Sequence, residues 1–164
     1  MSYQVKRTIT TLVAGILILA AYCAYTFGKS LSGIVAPGDL KFWASSMLIF
    51  VAAGIVVIIV IQIIFHILFS IGIAIKQRDC DEKEIGRAIE ASFVEDEMDK
   101  LIELKASRIG SILPGLGFVA ALVALVGGSS LEVMLNIAFL SFFMGALVTS
   151  CVQLLYYRKS VPSE

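Results

Sequence analysis

Charge is scarce in this chain and unevenly placed. Asp, Glu, Lys and Arg make up 16% of its 164 residues, and none of them falls in the runs Thr8 to Gly28, Phe42 to Ile75, Ile109 to Leu131 or Val133 to Tyr157. A soluble domain carries about 25% charged residues. The absence of any carboxylate within an apolar run argues against small multidrug exporters and most ion-coupled carriers, which move protons or ions on such groups. Cysteine occurs three times, as Cys23, Cys80 and Cys151. These lie in the first apolar run, a charged segment and the last apolar run, so no disulfide is expected. Without C-x-x-C pairs there is neither a zinc site nor a quinone-linked thiol oxidoreductase. Histidine occurs once, as His66, which excludes two-histidine haem ligation and leaves one histidine plus another ligand open. Phosphate loops, nucleophile elbows and zinc-protease motifs do not occur. No catalytic residue, cofactor or metal is assigned.

What is abundant is apolar surface. The chain is 59% hydrophobic, with a mean hydropathy of +0.93, against about 45–50% for a soluble domain. About twenty apolar residues cross a bilayer as a helix, so the expected fold is all-α, a bundle of four transmembrane helices over about 8–28, 42–75, 109–131 and 133–157. At about 1.5 Å per residue the second run reaches on the order of 50 Å. It must tilt, or project beyond the membrane. Gly127-Gly128-Ser129-Ser130 suits a tight reversal between the last two spans, and Gly33, Pro37, Gly38 and Asp39 mark a loop between the first two.

Orientation follows from lysine and arginine. Eleven of the thirteen basic residues fall on the side holding Lys6, Arg7, Arg158 and Lys159, and only Lys29 and Lys41 fall on the other. Both termini are therefore expected in the cytoplasm, with the chain in the inner membrane. Tyr22, Tyr25, Phe42 and Trp43 near the outer boundary, and Tyr156-Tyr157 at the inner one, fit an aromatic belt. Lys6-Arg7 before an apolar stretch also resembles a cleaved signal peptide. No small-x-small site ends the run, and losing it would break the charge balance, so it reads as a retained span.

Lys76 to Arg108 holds seven of the thirteen basic and ten of the thirteen acidic residues. Apolar residues at helical spacing predict a cytoplasmic two-helix element here between spans 2 and 3, broken near Ser92 to Asp96. Ser92-x-x-Glu95 and Asp96-x-x-Asp99 both have capping-box form. The second helix is expected to run into the third span until Pro114-Gly115 kinks it, and to meet the projecting part of the second, with Ile67 to Ile75 against Leu101, Ile102 and Leu104.

The stretch Glu95-Asp-Glu-Met-Asp-Lys-Leu-Ile-Glu-Leu-Lys-Ala-Ser-Arg-Ile109 resembles a motif of small prokaryotic multi-helix membrane proteins, in which an acidic cluster precedes Ile-Glu-Leu-Lys and an Arg-Ile pair opens a transmembrane helix. Met98 stands where that family usually has arginine. The resemblance implies a small membrane protein without an assigned activity, sometimes accompanied by a helix-turn-helix regulator, and it assigns no catalytic residue.

His66 lies deep in the second span with Gln62 one turn away on the same face. A proton relay, metal site or ligand contact and a satisfied interhelical hydrogen bond all remain open for it. Ser141, Thr149 and Gln153 join Asn136 as polar groups of the last span. The acidic cluster Glu95, Asp96, Glu97 and Asp99 lacks the alternating ligands and glycine of a calcium loop and reads as a solvated face. Small residues recur at every fourth position in the rows Ala20-Ala24-Gly28-Ser32, Ser107-Ser111-Gly115, Ala120-Ala124-Gly128 and Ser141-Gly145-Thr149, which suits close helix packing within the bundle or in a homo-oligomer.

Two functions follow as expectations. The first is a non-enzymatic scaffold or regulatory subunit of the lipid bilayer, contacting a cytoplasmic or membrane protein partner through Glu95, Asp96, Glu97, Asp99, Lys100 and Glu103, with no direct role for nucleic acid. The second is a small oligomeric transporter or channel with a path along Gln62, His66 and Asn136.

Overall fold

The computed structural model describes residues 3–36, 38–76 and 96–160. These form five helices: α1 Tyr3–Leu31, α2 Leu40–Lys76, α3 Glu97–Gly110, α4 Ile112–Val126 and α5 Leu131–Ser160. Four spans are long and apolar enough to cross a membrane, with α3 and α4 together making the third. The first helix of the expected cytoplasmic pair, together with Glu95 and the Ser92-x-x-Glu95 cap, lies outside the described residues.

Local chemistry sets the helix ends. α1 and α4 both close in Schellman motifs. Ile34 N–H reaches the Lys29 carbonyl and Gly33 N–H that of Ser30, while Ser129 N–H reaches Ala124 and Gly128 N–H reaches Leu125. The residue after the cap must then be left-handed, and Gly33 and Gly128 sit there at φ 69° and 89°, where a Cβ would be strained. Asp39 caps α2 by accepting from Phe42 N–H at 3.1 Å. The Asp96-x-x-Asp99 box forms as expected: Asp96 accepts from Glu97 N–H at 2.7 Å, and Asp99 accepts from Asp96 N–H at 3.3 Å.

α1 and α2 run antiparallel in one register along their whole length. Phe27 meets Trp43 with ring centroids 5.8 Å apart, Tyr22 meets Phe50 at 5.5 Å, and Tyr3 meets Phe65 and Phe69 at 5.3 and 4.9 Å. Phe69 thus lies level with the start of α1, and Ser70 to Lys76 continue past it by about 10 Å. The long second run of the sequence is thus a single helix that outreaches α1 at this end.

α5 is the hub, since α1, α3 and α4 all pack on it, whereas α2 leans chiefly on α1. The close approach of α3 and α4 to α5 depends on missing side chains. A methyl group at Gly110 would collide with Thr149 Oγ1 and the Gly145 carbonyl, and one at Gly117 with the Ser141 side chain. Of the four predicted small-residue rows, Ser141-Gly145-Thr149 is therefore the one used in this contact. Its counterpart is Ala106, Gly110, Gly117 and Ala121. Ser107, Ser111 and Gly115 are exposed, as are Ala20, Ala24, Gly28 and Ser32, and of the remaining row only Ala124 is half-buried.

Two further expectations are corrected. The third span breaks at Ser111, before Pro114 rather than at it, because a proline ring has no N–H for the carbonyl four residues back and crowds it. That carbonyl belongs to Gly110 and faces Gly145, where an added Cβ would sit 2.8 Å from it. The second correction is that α3 packs on α5 and not on α2: Ile102 and Ala106 are 4% and 0% exposed, while Leu101, Leu104, Ile67 and Ile71 remain exposed.

The distribution of side chains is inverted relative to a soluble protein. Ile55, Val56, Ile59 and Ile63 on α2 are all more than half exposed, whereas Gln4, Thr8, Thr26, Ser46 and Asn136 are buried. Asn136 bonds across helices to Tyr22, while Thr8 and Thr26 return their hydroxyl hydrogens to carbonyls of their own helix, as polar groups in apolar surroundings do.

Candidate functional site

The polar residues of the spans gather at two opposite ends. At the end of the 32–39 and 127–130 turns, Tyr22 is fully buried, with its ring against Phe50 and, at 4.6 Å, Phe139. Its hydroxyl donates to Asn136 Oδ1 at 2.8 Å, and Asn136 Nδ2 donates to the Glu132 carbonyl at 2.8 Å. Gly38 N–H donates to the Glu132 carboxylate, tying the two loops together. Tyr22 is thus a core residue here rather than a member of an interfacial belt, and Asn136 is satisfied within a lock between α1 and α5.

At the end that carries both termini, packing leaves a gap. α2 follows α1 and α3 follows α5, so α2 and α3 diverge and enclose a cavity of about 230 Å³. Its lining is polar from every helix that reaches it: Gln4, Arg7, Thr8 and Thr11 from α1, Gln62 from α2, Asp99 and Glu103 from α3, and Thr149, Ser150, Gln153 and Tyr157 from α5. An adjoining cleft of about 420 Å³ between α1 and α2 shares Gln4, Arg7 and Gln62 and adds His66. Deeper in, a cavity of about 190 Å³ shares Thr11 and Ser150 but is otherwise lined almost wholly by apolar groups, among them Ile58, Phe143 and Leu147.

Gln62 and His66 therefore share a site, and Asn136 is at the far end of the bundle from it. Between them stand the buried Ala14 and the Tyr22, Phe139 and Phe143 rings, the last two 5.0 Å apart. The acidic residues divide in a similar way. Asp96 is exposed and engaged in the cap, Asp99 both caps and lines the cavity, and Glu97 is exposed. Lys100 and Glu103 line a shallow surface recess with Leu104 and Ser107. Among the described residues no three His, Cys, Asp or Glu side chains come together to hold a metal.

Gln4, Arg7, Thr8, Thr11 and Tyr157 were not proposed as site residues from the sequence. The signal was present: Gln4, Thr8 and Thr11 recur at one-turn spacing and prolong the first helix before its apolar run, so that it starts at Tyr3.

No protein-family model, curated protein or solved structure matches this chain.

Proposed function

We propose that this is a non-enzymatic accessory or regulatory subunit of the inner membrane, with both termini and the charged segment in the cytoplasm and the outer face of α3 given to a helical protein partner. One observation carries this reading. α3 is the one described helix with negative mean hydropathy, and it buries a single face, through Ile102, Ala106 and Gly110. Its other face leaves Met98, Leu101 and Leu104 at 54%, 49% and 68% exposure among Glu97, Lys100, Glu103 and Lys105. Apolar side chains three residues apart on a charged helix make the surface that a second amphipathic helix covers. The sidedness rests on the eleven-to-two split of basic residues, and homo-oligomer contact on the exposed row Ala20, Ala24 and Gly28.

The test is co-purification from native membranes in mild detergent, comparing wild type with a Leu101→Glu, Leu104→Glu variant. A partner retained by the wild type and lost from the variant, with the bundle still folded, supports the docking face. A partner retained by both removes it.

The polar cavity at the terminal end favours a second reading, a small transporter or channel that starts at Gln62 and His66. The packed rings between that cavity and Asn136 weigh against a continuous path within one copy. Flux into vesicles that changes on Gln62→Leu and His66→Ala would support it, and no flux from either protein would end it.

A further inference from the structure

The described lining of the cavity between α2 and α3 combines two carboxylates and three carboxamides with four threonine and serine hydroxyl groups. Thr8, Thr11, Thr149 and Ser150 each donate their hydroxyl hydrogen to a carbonyl of their own helix, at 2.9, 3.0, 2.9 and 3.2 Å. Each oxygen is left with lone pairs alone to offer. Asp99 and Glu103 add two carboxylates and Arg7 one guanidinium, so among the described residues the lining carries one formal negative charge in excess. Gln4 is 9% exposed and lines both this cavity and the adjoining cleft, and its carboxamide has no hydrogen-bond partner among the described residues. Gln62 and Gln153, half-buried on two other helices, line the same cavity and are likewise without one. Buried carboxamides are ordinarily satisfied; that of Gln4 has no protein partner among the described residues, and with Gln62 and Gln153 it brings carboxamide oxygens from three helices to one cavity beside the carboxylates of Asp99 and Glu103.

We propose that this cavity binds a small organic cation bearing a primary ammonium group, held by the carboxamide oxygens of Gln4, Gln62 and Gln153 and the carboxylate of Glu103. An ammonium has three N–H donors, no acceptor and one positive charge, the complement of this lining. The deeper apolar cavity, which shares Thr11 and Ser150 in its lining, receives a short hydrocarbon stem. The same chemistry has two sources, a free alkylamine from the water phase or the aminoethyl headgroup of a phospholipid entering by the cleft between α1 and α2. Glu103 borders both this site and the docking face of α3, whose apolar residues Met98, Leu101 and Leu104 lie outside the cavity; the Leu101→Glu, Leu104→Glu pair tests the one and Gln153→Glu the other, so their failures are told apart.

The test uses the full chain in phosphatidylcholine nanodiscs, with thermal unfolding followed by Trp43 fluorescence. Butylamine is expected to raise the Tm saturably, while equal concentrations of sodium chloride or of tetramethylammonium, which has no N–H, do not. If the natural source is lipid, discs containing phosphatidylethanolamine raise the Tm with no amine added and blunt the butylamine effect. If it is a free amine, butylamine acts equally in both discs. Glu103→Gln is expected to weaken binding at least fivefold. Gln153→Glu, which adds a carboxylate to the same wall, is expected to tighten it, a change that no folding defect produces. No saturable shift in either disc, a shift reproduced by tetramethylammonium, or a Gln153→Glu variant that binds no tighter overturns the proposal.

Discussion

Removing one hydroxyl group from the core tests the reading of Asn136 as structural. Tyr22→Phe keeps the ring packed against Phe50 and Phe139 but deletes the 2.8 Å bond to Asn136 Oδ1. Hydrogen bonds between membrane helices contribute about 0.6 kcal/mol on average and about 1.7 kcal/mol at most. Tyr22 is 0% exposed and Asn136 8%, so water cannot replace the lost partner, and a cost near the upper end, about 1.5 kcal/mol, is expected. Asn136→Ala costs more, because it also loses the bond to the Glu132 carbonyl. Tyr22→Ala empties the ring site as well and costs about 3–5 kcal/mol. The informative quantity is the coupling between Tyr22→Phe and Asn136→Ala, measured by reversible unfolding in mixed micelles. It is expected between about 0.6 and 1.7 kcal/mol. Additivity to within about 0.3 kcal/mol would show that the two side chains do not share a bond in the membrane, and the separation of Asn136 from the Gln62 cavity would lose its physical basis.

Three further outcomes follow from particular contacts. Gly117→Ala drives a methyl group into Ser141 and is expected to destabilise the α4–α5 contact by about 1–3 kcal/mol, as overpacking does; Ser141→Gly in the same chain should recover most of the loss in the same unfolding assay. Asp96→Ala removes the capping box of α3 and should cost about 1 kcal/mol, seen as faster amide exchange at Glu97 to Lys100 with the exchange of α5 unchanged. Gly128→Val places a β-branched residue at φ 89° and is expected to destabilise the hairpin by more than the roughly 1 kcal/mol that alanine costs at such a position; equal melting of the valine and alanine variants would contradict it.

Much of the fold was legible because it depends on one-dimensional quantities. Span number came from run length, the α3 cap from Asp96 and Asp99, and both turns from Gly33 and Gly128, whose roles need only neighbours in sequence. What was not legible depends on which face of a helix turns where. Ser107, Ser111 and Gly115 obey the same four-residue rule as Ala106 and Gly110, and only the approach of α5 selects between the rows. The candidate site divided along the same line. Gln62 and His66, one turn apart, line one cleft. Asn136 was joined to them through scarcity of polar residues in the spans rather than through position, and Gln4 and Arg7 were passed over because they precede the apolar run. The contact foreseen between Ile67 to Ile75 and Leu101, Ile102 and Leu104 does not form, and the cavity lies beside it, with Gln62 of α2 facing Asp99 and Glu103 of α3.

Site-directed labelling decides most directly whether the wet, chemically varied end of the bundle faces the cytoplasm. In a chain with Cys23, Cys80 and Cys151 replaced by alanine, single cysteines are placed by Leu104→Cys on α3, Gln62→Cys in the cavity, Ile58→Cys below it and Ser129→Cys in the opposite turn. Intact and permeabilised cells are then exposed to a membrane-impermeant maleimide. The expected result is labelling at 129 in intact cells, at 104 and 62 only after permeabilisation, and at 58 in neither. Labelling at 104 in intact cells would invert the orientation, and a position 62 as protected as 58 would mean that the end of the bundle holding Gln4, Gln62 and Gln153 is dry.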